Sequence, residues 1–497
     1  MNIPDEYKFK ITPYKHQIKA IEYGLNHDKW LLADEMGMGK TKTVIEIANI
    51  KEVKHCLIIC CDNGLKWNWR KEVGVHSDEK CFILGQHKVN NKLVIGSNIQ
   101  RLKDLDCIRV LPRFIITNID TLKYRVPTGE KVERKVRGKI KLTDRYRYPI
   151  TEKLQELCES GEIDMIAVDE FHVVKNEDTE SARQILKIHT PIQIAITGTP
   201  VMNNPLDIFM SLKWLGYENR PFWEFKHRYC RLGGYNGNDV IGYRNLEEIA
   251  DTLSNVMLRR LKKNSLDLPD KIFVNEYVEI NSKQAAIYNE VRNNMLNNID
   301  EIKQSSNPLA RFTRLRQATG YTGILSSTIK VSAKFDRMEE IVNNAVDEGK
   351  KVVIFSNWSQ IVIPAYERLS KKHKGLIVTG EIKDNIRQER VDRFQNDSDI
   401  SFIIGTIDTI GKGYDLYSGT VEIFLDDPWN MEIKNQAVDR CHRIGASSNI
   451  IIYTLICEGT VDERVSDLVE RKGAMSDIFI NGDCKTDKNE LINYLLS

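Results

Sequence analysis

Two glycines, a lysine and a threonine follow a short apolar run in KWLLADEMGMGKTKTVIEIA, the stretch from Lys29 to Ala48. Glycines let backbone N–H groups approach phosphate oxygens, and a helix N-terminus adds a partial positive charge. Lys40 would reach the β- and γ-phosphates of a nucleotide, and Thr41 would hold Mg²⁺. The strict pattern G-x-x-x-x-G-K-[ST] fails, because Asp34 stands where its first glycine belongs. The stretch therefore indicates a phosphate-binding loop or, alternatively, a lysine beside an ordinary helix cap.

A second stretch, MIAVDEFH (165–172), ends an apolar run with two carboxylates and a histidine. Asp169 would hold Mg²⁺, directly or through water, and Glu170 would polarise the water that attacks the triphosphate. His172 would couple this site to the rest of the protein. The alternative is a polar strand end. Because this pair follows Lys40 at the separation usual for a nucleotide site, the two stretches together favour ATP as the ligand.

A third stretch, NQAVDRCHRIGA (435–446), carries Arg440 and Arg443 at a spacing of three residues. If the stretch is helical, the two arginines share one face. Arginines placed at a γ-phosphate stabilise the charge of the transition state. The alternative is a solvated basic face of a helix, which is the reading that this stretch alone favours.

Short apolar runs must position these residues, and they predict buried parallel strands that alternate with helices. One group ends near residue 200, and the other begins near residue 350. A helix-rich segment lies between them, so the sequence predicts an α/β protein with two lobes. Besides WLLAD, the runs are CLIICC (56–61), RFIIT (113–117), DMIAVDE (164–170), IQIAITG (192–198), KVVIFS (351–356), SFIIGT (401–406) and TVEIFLD (420–426).

The composition of the 497 residues restricts the alternatives. Charged residues make up 29% of the chain and the net charge is +2, so any nucleic-acid site must be a local basic patch. The ten cysteines include no C-x-x-C pair, which argues against a structural zinc site. Neither a signal peptide nor a membrane span is predicted. The expected location is cytoplasmic, in a bacterial or phage-infected cell, and the expected state is a monomer.

The stretches resemble, in order, the motifs of the Swi/Snf-type branch of superfamily 2 helicases, which are double-stranded DNA translocases. DEMGMGKT is close to the phosphate loop of that branch, in which Asp replaces the first glycine. The resemblance extends from about residue 11 to 464 and implies two RecA-like parallel-sheet lobes. The other matching stretches are DEFHVVKN, AITGTPVMNNPLDIFMSLKWL (195–215), MLRRLKKNSLDLPDK (257–271), RLRQATG (314–320), KVVIFSNWSQ, GTIDTIGKGYDL (405–416), DDPWN and QAVDRCHRIGA.

The resemblance also implies roles for single residues around ATP and Mg²⁺. Gln17 would contact adenine, and Gln436 would face ATP together with Arg440 and Arg443. The coupling of ATP state to DNA contact would involve His172, Thr197, Thr199, Gly411 and Gly413. The loop residues expected around the phosphates are Met36, Gly37, Met38, Gly39, Lys40, Thr41 and Lys42.

The resemblance also implies DNA contacts for four residues, Asn68, Trp69, Asn118 and Trp429.

The family motifs do not explain a basic insert, KYRVPTGEKVERKVRGKIKLTDRYRYP (123–149). Its alternation of β-branched and charged residues around Arg137-Gly138 predicts a hairpin. The hairpin is expected to contact DNA, as a wedge at a fork or junction whose tyrosines stack on unpaired bases; the alternative is a solvated loop. Its expected phosphate contacts are Lys123, Arg125, Lys131, Arg134, Lys135, Arg137, Lys139 and Lys141.

The domain boundaries expected from these motifs are a first lobe at 1–255, a helical connecting region at 256–330, a second lobe at 331–482 and a polar tail at 483–497. The first lobe would include a helical protrusion at 205–255.

The leading hypothesis for function is an ATP-dependent translocase that remodels forks or junctions in replication, recombination or repair, as in a compact phage or bacterial member of the family. One alternative is an ATPase that displaces proteins such as RNA polymerase from DNA. Another is an ATP-gated DNA clamp without useful hydrolysis. Duplex RNA also stays open as the substrate. Candidate protein partners are replication, recombination or transcription proteins.

Overall fold

Contacts within the chain divide it into two units, Met1–Tyr229 with Tyr243–Leu266, and Cys230–Gly242 with Asp267–Ser497. The computed structural model describes residues 2–61, 65–89, 92–136, 139–198, 200, 205–233, 239–265, 269–298, 309–411, 413–443 and 448–472. Each unit is built on its own parallel sheet, which confirms the predicted α/β fold class with two lobes.

The first unit contains a sheet whose described strands run in the spatial order β13-β1-β10-β9-β2-β6-β3, and each described pair is parallel. The central strands are buried on both faces, as continuous apolar runs require. The strands of this sheet are β1 (Lys29–Leu32), β2 (Cys56–Cys60), β3 (Cys81–Ile83), β6 (Phe114–Asn118), β9 (Met165–Asp169), β10 (Ile192–Ile196) and β13 (Met257–Leu258).

Helices and small hairpins surround this sheet. Two hairpins are β4 (Gln86–Val89) with β5 (Lys92–Ile95), and β7 (Val126–Val136) with β8 (Lys139–Arg147). The helices are α1 (Lys15–Asn26), α2 (Lys40–Ile50), α3 (Leu65–His76), α4 (Asn98–Asp106), α5 (Ile119–Leu122), α6 (Pro149–Glu159), α7 (Glu180–Ile185), α8 (Phe209–Leu215), α9 (Phe222–Tyr229) and α10 (Leu246–Val256), with 3-10 turns at Ile108–Val110, Phe171–Val174, Pro205–Ile208 and Lys262–Asn264.

The second unit contains a sheet whose described strands run in the order β14-β19-β18-β15-β17-β16, again with parallel pairs. A short hairpin, β11 (Cys230–Gly233) with β12 (Asp239–Tyr243), is grouped largely with this unit. The sheet strands are β14 (Lys271–Val278), β15 (Lys351–Ser356), β16 (Gly375–Val378), β17 (Phe402–Thr406), β18 (Gly419–Phe424) and β19 (Ile450–Cys457).

The helices of the second unit cover both faces of its sheet and form two apolar clusters there. A further cluster joins helices near the end of the described chain. These helices are α11 (Ser282–Asn297), α12 (Leu309–Gly320), α13 (Ala333–Asp347), α14 (Ser359–Leu369), α15 (Asp384–Asn396), α16 (Ile407–Ile410), α17 (Met431–Val438) and α18 (Val461–Lys472), with a 3-10 turn at Thr322–Ile324.

The segment 256–330 differs from the separate helical region that the sequence predicts. Its β13 joins the first sheet beside β1, and its β14 joins the second sheet beside β19. Its helices α11 and α12 pack with α18 in one apolar cluster of the second unit. The segment is therefore shared between the two units, with the division near residue 266. The polar tail expected at 483–497 lies outside the described residues.

The insert at 123–149 contains the predicted antiparallel hairpin, with β7 and β8 paired from Val126–Arg147 to Val136–Lys139. The expected turn residues, 137 and 138, lie outside the described part. Within the described ranges, no helix combines the length and the apolar composition needed to cross a membrane.

Candidate nucleotide site and associated motifs

The phosphate loop connects β1 to α2 and depends on two glycines in the left-handed region, Gly37 at φ 76° and Gly39 at φ 77°. L-residues rarely adopt this conformation, so glycine is favoured at both positions. At Gly39 space is also limiting, because an added Cβ would lie 2.1 Å from the Gln17 amide nitrogen. The loop leads directly into the first turn of α2, where backbone N–H groups lack partners within the helix. This is the strand–loop–helix arrangement that phosphate binding requires.

Lys40 lies at the start of α2 and its ammonium stays within the loop. It donates hydrogen bonds to the backbone carbonyls of Asp34, at 2.8 Å, and Glu35, at 3.1 Å. The next residue, Thr41, is half-buried in the same first turn. The lysine and the hydroxyl are therefore adjacent at the mouth of the loop, as the sequence predicts for groups that handle phosphate and Mg²⁺.

Asp169 ends strand β9 and is buried. One carboxylate oxygen accepts a hydrogen bond from the Trp69 indole nitrogen at 2.8 Å, and the other accepts from the Glu170 backbone N–H at 2.9 Å. Burial and the neighbouring charge of Glu170 raise the pKa of Asp169 to about 6, although Trp69 and the charge of Lys40 oppose this rise. A cation at this carboxylate would therefore relieve an electrostatic cost that the fold already carries.

Glu170 adopts a left-handed backbone conformation at φ 54°, which is uncommon for a residue with a side chain. Its carboxylate lies 3.3 Å from Nδ1 of His172, and the same Nδ1 lies 3.1 Å from the Thr197 hydroxyl at the end of β10. The histidine therefore links the carboxylate expected to activate water with the next strand end. Thr199, the other threonine expected here, lies outside the described residues.

An ion pair that the sequence interpretation missed explains the aspartate in the loop. The Asp34 carboxylate accepts two hydrogen bonds from the Arg260 guanidinium, one from Nε at 2.9 Å and one from a terminal nitrogen. Arg260 also donates to the backbone carbonyl of His16, and the ring of His16 lies 2.9 Å from the Met38 carbonyl. The sequence does show an aspartate in place of the loop glycine and two arginines in MLRRLKKN. No local pattern indicates that Asp34 and Arg260 pair, because 226 residues separate them.

Gln17 and Lys42 have protein partners that differ from the expected cofactor contacts. Gln17 accepts from the Tyr14 backbone N–H at 2.9 Å and donates to the Met38 carbonyl at 3.4 Å, so it braces the loop; its adenine contact stays a prediction.

The side chain of Lys42 has protein partners, and its expected contact with ATP stays a prediction. Its buried ammonium pairs with Glu46 at 2.6 Å and donates to the Ile11 carbonyl at 2.7 Å. A lysine two positions after Lys40 points to another side of α2, because successive helical residues are rotated by about 100°.

In the second unit, Arg440 and Arg443 lie beside the GKGYDL segment. Arg440 Nε donates to the Gly411 carbonyl at 3.1 Å, and Arg443 forms an ion pair with Asp415. Helix α17 ends at Val438, so the two arginines lie in the turn that follows, and the helical condition for a shared face is not met.

The other predicted residues of the second unit lie close along the chain to this turn. Gln436 is buried in α17. Gly413 has φ 77°, and an added Cβ at Gly411 would lie 2.4 Å from the Ile407 carbonyl, so both positions favour glycine.

The residues expected to contact DNA are not equally accessible. Trp69 is 1% exposed and bonded to Asp169, so its predicted DNA contact is wrong and it acts as a support for that carboxylate. Asn118 is buried at the end of β6, and Asn68 is half-buried. Trp429 is half-buried, and its ring lies 4.5 Å from the Arg316 guanidinium. These placements leave Asn68 and Trp429 with surface available for a ligand.

The basic residues of the insert that the structure describes differ in their surroundings. Lys123 pairs with Asp120 at 2.5 Å, and the guanidinium of Arg125 lies 4.4 Å from the ring centre of Tyr146. Lys131 is exposed on β7. Arg137 and the side chains of Arg134, Lys135, Lys139 and Lys141 lie outside the described part of the structure.

Comparison with known proteins gives two family matches. The model of the SNF2-related domain matches residues 16–323, which is more than half of the chain. The model of the helicase conserved C-terminal domain matches residues 333–445. The first match includes the phosphate loop and the DEFH stretch, and the second includes Gly411, Gly413 and both arginines.

Curated relatives are similar over nearly the whole chain. The DNA annealing helicase and endonuclease ZRANB3 of Bos taurus is 25% identical over 500 residues, which covers 97% of this chain and 41% of that protein. An uncharacterized ATP-dependent helicase of Mycoplasma pneumoniae is 24% identical over 483 residues, which covers 93% of this chain and 42% of that protein. The chain thus spans about two-fifths of the length of these relatives.

Among solved structures, the SWI2/SNF2 ATPase core of Sulfolobus solfataricus in complex with dsDNA covers 99% of this chain and 97% of its own, at 23% identity. Its TM-score of 0.40 is too low to support a structural inference. The assignment rests instead on the two family matches, which include the nucleotide motifs whose geometry is described above. The chain therefore belongs to the SNF2-related family of ATP-dependent helicases.

Proposed function

We propose that this protein couples ATP hydrolysis to movement along double-stranded DNA and that it remodels branched DNA such as forks and junctions. The observation that carries the proposal is the basic hairpin β7–β8, which is inserted in the same unit as the hydrolytic residues, directly before the helix and strand that lead to Asp169. The name of one relative, a DNA annealing helicase and endonuclease, supports DNA as the substrate.

The residues of the first unit fit the binding of a metal–nucleotide complex. Carboxylate and hydroxyl oxygens are the ligands that Mg²⁺ prefers, and Asp169 and Thr41 would supply them. The raised pKa of Asp169 supports this fit, because a bound cation would stabilise its charged form. Bound Mg²⁺ would neutralise charge on the phosphate oxygens.

Different side chains of the protein have different roles in the proposed hydrolysis. Lys40 binds the phosphates from the loop, and the glycines beside it expose backbone N–H groups to the same oxygens. Glu170 orients and deprotonates the attacking water, while His172 and Thr197 hold the Glu170 carboxylate in place. Arg440 and Arg443 are assigned the stabilisation of transition-state charge.

Hydrolysis would be coupled to movement through His172 and Thr197. His172 bridges Glu170 and Thr197, so a change at the nucleotide would alter the position of the β10 end. Contacts with the DNA backbone carry little sequence information, so the movement would be largely independent of sequence. An ATP-gated clamp would not need all of the residues that hydrolyse ATP. Lys40, Asp169 and Glu170 are all present, and each contacts neighbouring protein groups, which favours the translocase.

The experiment that tests this proposal compares the protein with a variant whose residues 127–145 are replaced by a short glycine linker. Migration of a four-way junction and regression of a fork are measured with ATP, and the ATPase rate on blunt duplex DNA serves as the control. We expect the variant to keep duplex-stimulated hydrolysis and to lose branch remodelling. Intact remodelling by the variant would contradict the role of the hairpin, and failure of the unmodified protein on both substrates would contradict the proposed function.

A further inference from the structure

A cleft at the base of the β7–β8 hairpin lies outside the nucleotide motifs. It has a volume of about 450 Å³, within the range of sites that hold small ligands. The residues that form its walls come from the hairpin and from helix α7 and its surroundings. They include Arg125, Asp144, Arg145, Tyr146, Tyr148 and Glu180.

One wall offers flat surfaces for stacking. The Arg125 guanidinium lies 4.4 Å from the ring centre of Tyr146, and this ring remains 36% exposed. The ring of Tyr148 is half-buried, with the Lys187 ammonium 5.1 Å from its centre. Guanidinium planes and tyrosine rings are the groups on which unpaired nucleobases stack in proteins.

Next to Tyr148 the cleft carries a carboxylate that is already fixed by its neighbours. Glu180 accepts a hydrogen bond from Gln184 at 2.6 Å. Burial raises the pKa of Glu180, but the hydrogen bonds from Gln184 and Tyr148 and nearby positive charges outweigh burial and hold the pKa below its ordinary value. A charged carboxylate beside a stacking surface can accept hydrogen bonds from the amino groups of a base.

Two arginines at the rim of the cleft form exposed ion pairs. Arg145 pairs with Glu130 at 2.9 Å, and Arg147 pairs with Glu152 at 2.9 Å, both at exposed positions. Exposed ion pairs contribute little free energy, so these arginines can exchange a carboxylate for a phosphate. A phosphate inside the cleft is disfavoured by Asp144 and Glu180, which places the base inside and the backbone at the rim.

We propose that this cleft binds one unpaired nucleotide, with its base stacked on the exposed ring of Tyr146 and its phosphate beside Arg145 and Arg147. The inference rests on the proposed function in naming branched DNA as the source of the unpaired strand. A base within a duplex is stacked on its neighbours and cannot enter, so the cleft would distinguish branch points from continuous duplex. Its walls lie on the two segments that flank β9 in the sequence, before and after Asp169 and Glu170.

Equilibrium binding without ATP tests the cleft. Fluorescence anisotropy measures the affinity of the full chain for a short single strand, a blunt duplex of the same sequence and a duplex with a single-stranded flap. Tyr146→Ala should weaken binding to the single strand and the flap about tenfold, the loss expected for one stacked base, and leave the blunt duplex unchanged. Tyr146→Phe keeps the ring and should restore the affinity.

Two control variants match the surface character of the tested residues. Tyr277→Ala removes an exposed tyrosine of β14, and Arg109→Ala removes an exposed arginine of the first unit; neither should change any affinity. Arg125→Ala should reproduce the loss seen with Tyr146→Ala. The melting temperature of each variant establishes that it is folded.

The outcomes separate this inference from the proposed function. An equal loss on single strand and duplex would overturn the inference, because the residues would then contact only the DNA backbone. Unchanged affinity in Tyr146→Ala would overturn it as well. If the selective loss occurs in a protein that does not remodel junctions, the cleft stands and the proposed function fails.

Discussion

The hydrolytic residues of the first unit and the arginines of the second are held in different ways. In the first unit two carboxylates are held by residues far along the chain, since Trp69 donates to Asp169 and Arg260 donates to Asp34. In the second unit Arg440 and Arg443 are both held by one short segment, through Gly411 and Asp415. The first arrangement depends on contacts between distant segments, whereas the second depends on one short segment.

The two sets of residues also differ in the protein contacts that they would lose on binding a ligand. Asp169 is a buried carboxylate with a raised pKa, held by hydrogen bonds from the Trp69 indole and the Glu170 backbone N–H, so under the proposed function a cation would bind it without displacing a charged partner. Arg443 is paired with Asp415, so under the proposed function it would have to exchange this carboxylate for a phosphate oxygen. The proposal would then give binding and water activation to preformed groups, and transition-state stabilisation to groups that change partners.

Among the variants that test this comparison, the largest effect is expected from Glu170→Gln, which removes the carboxylate while keeping the shape of the side chain. The turnover of ATP should fall by about 10²–10⁴-fold, the contribution of a general base. ATP affinity, measured by titration of a fluorescent analogue, should change less than twofold. A matching loss of affinity would mean that Glu170 supports the fold and does not act on water.

The next effect is expected from Arg443→Ala. The rate should fall about 10²-fold, less than the 10³–10⁵-fold reported for a sole arginine, because Arg440 remains. Steady-state kinetics should show a reduced kcat with little change in KM. Asp415→Asn, which keeps Arg443 but removes its carboxylate partner, should have a much smaller effect. Equal losses in kcat and in ATP affinity for Arg443→Ala would contradict a role in the transition state.

Removal of the long-range brace at the loop should destabilise the first unit. Arg260→Ala leaves Asp34 buried without the partner of both its carboxylate oxygens, which should cost about 3–5 kcal/mol of unfolding free energy. Denaturant unfolding measures the loss. The exposed neighbour Arg259 provides the control, and Arg259→Ala should leave stability within about 0.5 kcal/mol of the unmodified protein. Similar losses in the two variants would show that the ion pair contributes nothing specific.

The smallest effect is a shift in pH dependence from Trp69→Phe. The indole N–H stabilises the charged form of Asp169, so its removal should raise the pKa from about 6 by about one further unit. Below its pKa the carboxyl is protonated and cannot hold Mg²⁺. The pH at which Mg²⁺-dependent turnover is half-maximal should therefore rise by about one unit. Trp67→Phe, on the same helix, is the control, and an unmoved midpoint in Trp69→Phe would contradict the brace.

The sequence was informative where a function needs a local pattern. KVVIFS coincides with strand Lys351–Ser356, DMIAVDE contains Met165–Asp169, and the alternation in the insert predicts both strands of its hairpin. It was uninformative where a side chain meets a distant partner. Nothing local marks Trp69 as the donor to Asp169, 100 residues away, so an exposed DNA contact was the natural expectation.

Segments between motifs were also harder to predict. Strand Ile450–Cys457 is a continuous apolar run that the strand predictions omitted, and Lys271–Val278 is a half-exposed edge strand without a clear alternation. The helices around residue 300 suggested a separate region, but their apolar faces pack against α18. Which sheet or helix an apolar face meets depends on tertiary packing, and the local sequence does not encode it.

The most direct test of an ATP-driven duplex motor is the steady-state ATPase rate of the purified protein with different nucleic acids. The rate is measured alone and with single strands, blunt duplex, a fork, a four-way junction and duplex RNA, with Lys40→Ala as the inactive control. We expect strong stimulation by duplex DNA, greater stimulation by forks and junctions, and no hydrolysis by Lys40→Ala. A rate that no DNA stimulates would contradict the proposed DNA motor, and hydrolysis by Lys40→Ala would contradict the phosphate loop.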